Sequence, residues 1–545
     1  MKEHNCNIAQ VLTKVALAQP EAIALVSREN GQWQHYSFHT LATRSLQLAG
    51  ALHAGGLRRG ERVMLMVRPS LDFVALTFAL LHVGAVLILI DPGMGYRNLK
   101  RCIRAVEPEA LIGVGRAIIF SRLFPTVFAT LKKRIHVGGW LPGSVALDRL
   151  PKAAPPPAFT AGQDDLAAVI FTTGSTGPPK GVHYTHGIFH AQLRLIRDYY
   201  GIGPGHTDQP GFTLFGLFST ALGAKAVLPD MDPTRPAQVD PHKFVASIMA
   251  EQVSYSFGSP AIWQVVSRHC LRLQQQLPLD TVLMAGAPVS GELLADMQAI
   301  LPSTARIFTP YGATESLPVA SIEAREVVGV DGTWEQTRQG RGYCVGRPLP
   351  GMDVRIIVVQ EEELAHWSQV EELPSGSIGE IVVRGPVVTP GYDHNEPETR
   401  RAKIASAEGL WHRMGDMGYL DEKGRLWFCG RKGHRVLTTA GPMYSVCCEA
   451  IFNEHPLVRR SALVGIGLAP AQTPVLVVEL VRQGKTHKIP AALQAELLQL
   501  AQASELTKNI RHFLVHPSFP VDIRHNAKIF REQLALWAGR QMPTA

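Results

Sequence analysis

Directly after an apolar run ending at Phe171, the chain reads Phe171-Thr-Thr-Gly-Ser-Thr-Gly-Pro-Pro-Lys-Gly181. Glycines at 174, 177 and 181 let the backbone approach a ligand closely, and successive N–H groups there can form an anion-binding nest. Thr172, Thr173, Ser175 and Thr176 add hydroxyl donors and Lys180 adds a charge. The chemistry available to such a stretch is phosphate binding; the bland alternative is a Ser/Thr/Gly turn. It is not a Walker A loop, because Pro179 and Gly181 stand where that pattern needs Gly before the lysine and Ser or Thr after it. Nor is it a nucleophile elbow, since Thr173 rather than Gly lies two positions before Ser175. His183, His186 and His190 have i, i+3, i+7 spacing that a metal-binding helix face could use, but Gly187 follows His186 where an H-E-x-x-H site needs Glu. The seven cysteines contain no C-x-x-C pair, and the adjacent Cys447-Cys448 reads as packing. Neither a disulfide framework nor a zinc ribbon is expected, and a reducing cytoplasmic setting is the default.

The elements that would position these residues alternate between short apolar strands and helical stretches, which predicts an α/β chain of more than one domain over 545 residues. Arg62–Val67, Leu166–Phe171 and Thr281–Met284 read as strands. Pro151–Pro157 reads as a stiff connector and Gly329–Gly342 as an exposed loop. Gly379–Gly430 turns to short strands with glycine turns, including Glu380–Arg384 and Leu426–Cys429. A fresh α+β pattern follows: strands near Ser461–Gly465 and Pro474–Val481, then a helix near Ala491–Ala503. The domain boundary is expected at Arg431 to Gly433, dividing the chain into 1–430 and 431–545. Phe73–Ile90 is apolar enough to suggest a membrane span, but it breaks at His82 and Gly84 and becomes β-branched beyond them. It predicts a buried helix feeding a buried strand, and no transmembrane segment. The N-terminus has no apolar core of a signal peptide.

Composition excludes a disordered or fibrous chain, with 18% charged residues and 46% hydrophobic. A formal charge of +8 leaves nucleic acid, an anionic membrane surface or a phosphorylated substrate as partners. From Arg431 onward there are 14 Lys+Arg against 7 Asp+Glu, leaving 40 against 39 for the first 430 residues. The basic residues of the last fifth are dispersed, and no basic run exceeds Lys132-Lys133-Arg134. A nucleic-acid partner is therefore not expected.

The phosphate-loop residues resemble the T-[ST]-G-[ST]-T-G-x-P-K-G signature of the adenylate-forming enzymes, the superfamily of acyl-CoA synthetases, adenylation domains and luciferases. Further motifs of that superfamily follow in order. Gly286-Ala287-Pro288 resembles the loop that lies along the adenine. Tyr311-Gly312-Ala-Thr314-Glu315 resembles the adenine and Mg-ATP motif, which implies stacking by Tyr311, phosphate contact by Thr314 and metal contact by Glu315. Arg413-Met-Gly-Asp416 resembles the motif whose aspartate bonds both ribose hydroxyls, and Arg431 stands where the family also touches the ribose. Asn526-Ala-Lys528-Ile529 is similar to the family's Gly-Lys-Ile, which implies Lys528 as the catalytic lysine. The fold so implied is a large N-terminal domain of layered α/β subdomains with a small β-rich subdomain, followed by a small α+β lid; the implied cofactors are ATP and Mg2+. The roles are physically reasonable. Adenylation brings a carboxylate against an α-phosphate, and a divalent ion and a lysine offset the repulsion between these anions.

Three segments resemble one branch of the superfamily, the AMP-forming β-lactone synthetases of bacterial olefin biosynthesis: Pro229–Pro236, Leu426–Lys432 with His434–Val436, and Phe519–Ile529. This resemblance implies a long-chain 2-alkyl-3-hydroxy acid substrate, activated as its acyl-adenylate and closed by its own 3-hydroxyl to a β-lactone. Association with other hydrocarbon-pathway enzymes goes with it. A family histidine at the position of His186 lies close to the acyl group, making His186 a candidate base for that hydroxyl, and Phe212, Leu214, Phe215 and Phe218 are candidate acyl-pocket residues. Two departures stand out: Gly433 occupies the hinge position where the family usually has Asp or Lys, and Ala527 replaces the glycine before the lysine. Gly433 weakens the alternative, a fatty acyl-CoA or carrier-protein ligase. The remaining alternative, a basic nucleic-acid or membrane-surface binder, rests on charge alone.

Overall fold

The computed structural model describes residues 5–29, 31–171, 178–481, 489–522 and 529–542. Thr172, Thr173, Gly174, Ser175, Thr176, Gly177, Ala527 and Lys528 lie outside the described residues. The architecture is α/β, built on two large sheets. One has seven strands, with Ala110–Gly113, Arg62–Met66, Val86–Leu89 and Leu166–Phe171 side by side and parallel. Gly181–Thr185 adds an antiparallel edge, so the phosphate stretch connects two neighbouring strands. The other sheet has 14 strands. Its parallel half includes Tyr255–Gly258, Thr281–Met284 and Arg306–Ala313, and it continues into antiparallel strands that include Gly379–Arg384, Gly409–Leu420 and Leu426–Arg431.

The apolar run at Phe73–Ile90 folds as its break implied. Ser70 caps the helix Leu71–Val83 by accepting from the Phe73 N–H, and Gly84 ends it in a left-handed conformation at φ 75°. A side chain there would also meet the Phe159 ring at 2.9 Å, so glycine is required twice over. The strand Val86–Leu89 follows. This helix is buried on all sides and shares one apolar core with helix Phe38–Ala54 and with strands of both sheets. It is apolar all round because it lies between two sheets. Further helices cover the outer faces: Tyr96–Val106 and Gly115–Leu123 on the smaller sheet, Pro260–Leu273 and Gly291–Ile300 on the larger. No helix among the described residues is long and apolar enough to cross a membrane.

After Arg431 the chain forms a three-stranded sheet, Val458–Ile466, Thr473–Leu480 and His512–Val515, flanked by helices Ser445–Asn453, Ala491–Gln502 and Arg531–Gln541. Two apolar clusters of this segment contain no residue before Val436. One expectation is corrected. Gly329–Gly342 is not an exposed loop: Thr333–Gln336 is helical, and Thr333, Thr337 and Gly340 are buried. A Cβ on Gly340 would meet Leu506 at 2.7 Å and the Cys447 carbonyl at 2.9 Å, so the C-terminal segment rests on this stretch. Arg338 also pairs with Glu454 across the same contact. The covering residues lie more than a hundred positions away, where local polarity carries no trace of them.

Candidate active site

A cavity of about 1160 Å³ opens where the two sheets and the C-terminal segment meet. Its polar end is assembled from the ends of neighbouring strands. Thr281–Met284 delivers Gly286, Ala287 and Pro288, and Arg306–Ala313 delivers Tyr311 and Gly312. That second strand then reverses at Thr314-Glu315 into Ser316–Glu323. The reversal brings backbones so close that a Cβ on Gly312 would lie 2.6 Å from the Ser316 carbonyl oxygen. Asp416 and Arg431 face each other as cross-strand partners on Gly409–Leu420 and Leu426–Arg431.

Hydrogen bonds fix these groups. The Tyr311 hydroxyl donates to Asp416 Oδ2 at 2.6 Å, and Arg431 Nη1 lies 2.9 Å from Asp416 Oδ1. Burial, and then the Asp416 charge, push the Tyr311 phenol far up, so it stays a donor. Glu315 is held twice: its Oε1 accepts from the Tyr392 hydroxyl at 2.9 Å, and its carbonyl accepts from Thr389 N–H and Oγ1, each at 3.0 Å. Tyr184 donates to the Thr314 carbonyl at 2.6 Å. The Lys180 ammonium pairs with Glu398 and lies 5.0 Å from the centre of the Tyr392 ring. Arg413, three positions before Asp416, also lines the cavity. It makes a buried two-point ion pair with Glu380, which Lys432 joins at 3.1 Å.

The cavity therefore gathers Lys180, Gly286, Ala287, Pro288, Tyr311, Gly312, Thr314, Glu315, Asp416 and Arg431. Residues 172–177 are bordered by Phe171 and Pro178, and Lys528 is followed by Ile529; all three of these neighbours line the cavity. His186 is not brought there. It opens the helix His186–Asp198 behind the Thr185 cap, and its ring is buried edge-on to Phe159 at 5.7 Å. Burial lowers its pKa to about 4. This corrects the expectation of His186 as the base on geometry: its ring does not line the cavity but is buried against Phe159. His183 belongs to the strand Gly181–Thr185 and bonds Asp393 at 2.8 Å, so the three histidines share no helix face.

Beyond the polar end the cavity becomes apolar. Phe212, Leu214, Phe215 and Phe218 line it as expected, and it reaches Phe189, Leu81, Thr77 and Ile8. The last four were not singled out by sequence reasoning, nor were Tyr392, Glu398, Lys403 and His412 near Glu315 and Lys180. Each contacts its partner across a long separation that leaves no spacing pattern.

Lys403 is buried and donates from Nζ to the Thr389 carbonyl, behind Glu315. Burial lowers its pKa from 10.5 to about 7, with the Glu315 charge opposing. Between those values the unfolded chain binds the proton and the folded protein does not, so this group makes stability rise with pH from about 7 to 10.5. In Lys403→Met that rise is expected to be smaller. Urea midpoints at both ends of the window read it, and an unchanged slope would refute the assignment.

The family model described as AMP-binding enzyme matches residues 12–393. The chain is 44% identical to an olefin beta-lactone synthetase of Xanthomonas campestris pv. campestris, covering 98% of both chains. It is also 44% identical to one of Stenotrophomonas maltophilia, covering 98% of this chain and 99% of that protein. Among solved structures, the amide bond synthetase McbA of Marinactinospora thermotolerans superposes with a TM-score of 0.79 at 21% identity, covering 97% of this chain and 99% of that one. The strand-end cavity with its ordered motifs, the family match and the full-length relatives agree: the chain belongs to the AMP-binding enzyme family and is an AMP-forming ligase.

Proposed function

We propose that the enzyme uses ATP to convert a long-chain 2-alkyl-3-hydroxy acid to its acyl-adenylate, releasing pyrophosphate, and that the substrate's 3-hydroxyl then attacks the acyl carbon. That attack forms a four-membered lactone and expels AMP. The observation that carries the reading is a single cavity lined both by the polar strand-end groups Tyr311, Glu315, Asp416 and Arg431 and by the apolar side chains Phe212, Phe215, Phe218 and Leu81. The likeness to the beta-lactone synthetases, which spans both chains, supports the second step. In this reading Asp416 and Arg431 hold the ribose, Tyr311 with Gly286, Ala287 and Pro288 flanks the adenine, and Gly312 permits the tight approach. Thr314, Lys180 and the loop Thr172, Thr173, Gly174, Ser175, Thr176 and Gly177 take the phosphates. Residues 1–430 form the nucleotide- and acyl-binding domain, and 431–545 form a lid that brings Lys528. The reaction is assigned to the cytoplasm.

The donor set at Glu315 fits a magnesium ion. Mg2+ is usually carried by one or two carboxylates plus substrate phosphates. Glu315 offers one anchored carboxylate, and no group of three or more metal-ligating side chains occurs among the described residues. Bound there, the ion would neutralise phosphate charge. Intramolecular attack removes the need for a second substrate and has a large effective molarity, provided the cavity holds the hydroxyl over the acyl carbon and excludes water.

Enzyme, ATP, Mg2+ and a 2-alkyl-3-hydroxy acid are expected to yield AMP and β-lactone in the absence of CoA. Mass spectrometry of the product checks it, and a thioester formed with strict CoA dependence would instead establish a fatty acyl-CoA ligase.

A further inference from the structure

Helices Tyr96–Val106 and Gly115–Leu123, on the outer face of the seven-stranded sheet, carry a basic surface; at one end Tyr96, Arg97 and Arg101 share a pocket with Pro178, while Arg104, Arg116 and Leu123 do not line it. The first holds Arg97, Lys100, Arg101 and Arg104, the second Arg116 and Arg122, and neither holds an acidic residue. Their inner faces bury Leu99, Ile103 and Ile118 in one apolar cluster with the sheet. They lie side by side, with the Tyr96 and Phe120 rings 6.0 Å apart and the Lys100 ammonium 4.5 Å from the centre of the Phe124 ring. None of the six cations is ion-paired with a carboxylate among the described residues. Large apolar groups stand among them: Tyr96 is 74% exposed, Leu123 68% and Ile119 49%.

Charge alone would suit any polyanion. A nucleotide, however, gives no reason for Leu123, Ile119 and Tyr96 to protrude beside the cations. A basic surface studded with exposed apolar groups matches an anionic lipid interface, where cations meet headgroups and apolar tips enter the acyl boundary. We propose that this face docks the enzyme on the surface of an anionic phospholipid bilayer. The docking is peripheral, because both helices stay packed on the sheet through their inner faces. It stands apart from the reaction proposed above, since binding requires neither ATP nor the acyl substrate.

The test is co-sedimentation of the full chain with vesicles of phosphatidylglycerol and phosphatidylcholine, or of phosphatidylcholine alone, without ATP. Binding is expected only to the anionic vesicles and is expected to weaken as salt rises. Arg104→Glu with Arg116→Glu should lower the partition coefficient at least about twentyfold, at about fivefold per basic residue. Leu123→Asp should lower it about tenfold, while ATP–pyrophosphate exchange and the thermal midpoint show that each variant is folded. Absence of binding to anionic vesicles at low salt would overturn the proposal. So would full binding by Leu123→Asp, or displacement from vesicles by micromolar pyrophosphate at constant ionic strength, which would mark the face as a phosphate-binding site.

Discussion

Glu315→Gln is expected to slow ATP–pyrophosphate exchange by about a hundred- to a thousandfold, the scale seen when one preorganised electrostatic contact is lost from a transition state. The substitution isolates charge from architecture. A glutamine has the same shape, and its amide oxygen can still accept the Tyr392 hydroxyl that Glu315 Oε1 accepts at 2.9 Å. The backbone carbonyl keeps both bonds from Thr389. Stability should therefore barely change, and the loss should appear as a raised magnesium requirement together with a lower maximal rate. Exchange rates across a magnesium titration read both, with the thermal midpoint as control. If the variant matched the wild type at every magnesium concentration, Glu315 would be a structural anchor for Tyr392 only.

The second large effect concerns folding. Glu380→Ala is expected to cost about 3–5 kcal/mol of stability, as when one partner of a buried ion pair is removed. Glu380 is 2% exposed, and its two oxygens accept from Arg413 Nε at 3.0 Å and Nη2 at 2.7 Å. Lys432 Nζ adds a third bond at 3.1 Å. Without the carboxylate a nearly buried guanidinium loses its counter-charge, and its remaining bonds to the carbonyls of Glu362, Arg401 and Gln360 supply none. The apolar pair Glu380→Leu with Arg413→Met should lose much less than the single variant, because the pair's desolvation cost disappears with its attraction. Denaturant midpoints of the three proteins separate these outcomes; equal losses in the single and double variants would mean that packing rather than charge dominates.

The strands around the site were readable because buried parallel strands are short continuous apolar runs, as at Leu166–Phe171 and Thr281–Met284. The motif residues were readable because each group is contiguous, so a turn such as Tyr311–Glu315 carries its chemistry in five positions. What escaped depends on distance along the chain. His186 stood in a suggestive place, but whether its ring meets the cavity or Phe159 is decided by a connector packed from 27 positions upstream. Gly329–Gly342 looked exposed because the segment that covers it comes after Arg431. Averaging concealed the basic helix Tyr96–Val106 as well: the first 430 residues are nearly neutral in sum, although one helix within them holds four cations and no acid.

Tyr311, Asp416 and Arg431 are all carried by the same 14-stranded sheet, and Arg431 ends its strand immediately before the turn Lys432–His434 that leads to the C-terminal segment. A rotation beginning at that turn would leave Tyr311, Asp416 and Arg431 where they are. If these residues hold the ribose and the segment after Arg431 acts as a lid, as proposed, the nucleotide half of the acyl-adenylate stays anchored whichever way that lid lies, and the activated acid is kept from water until the proposed ring closure. For the proposed reaction, in the currency of turnover, this predicts close coupling: about one ATP consumed for each ring closed.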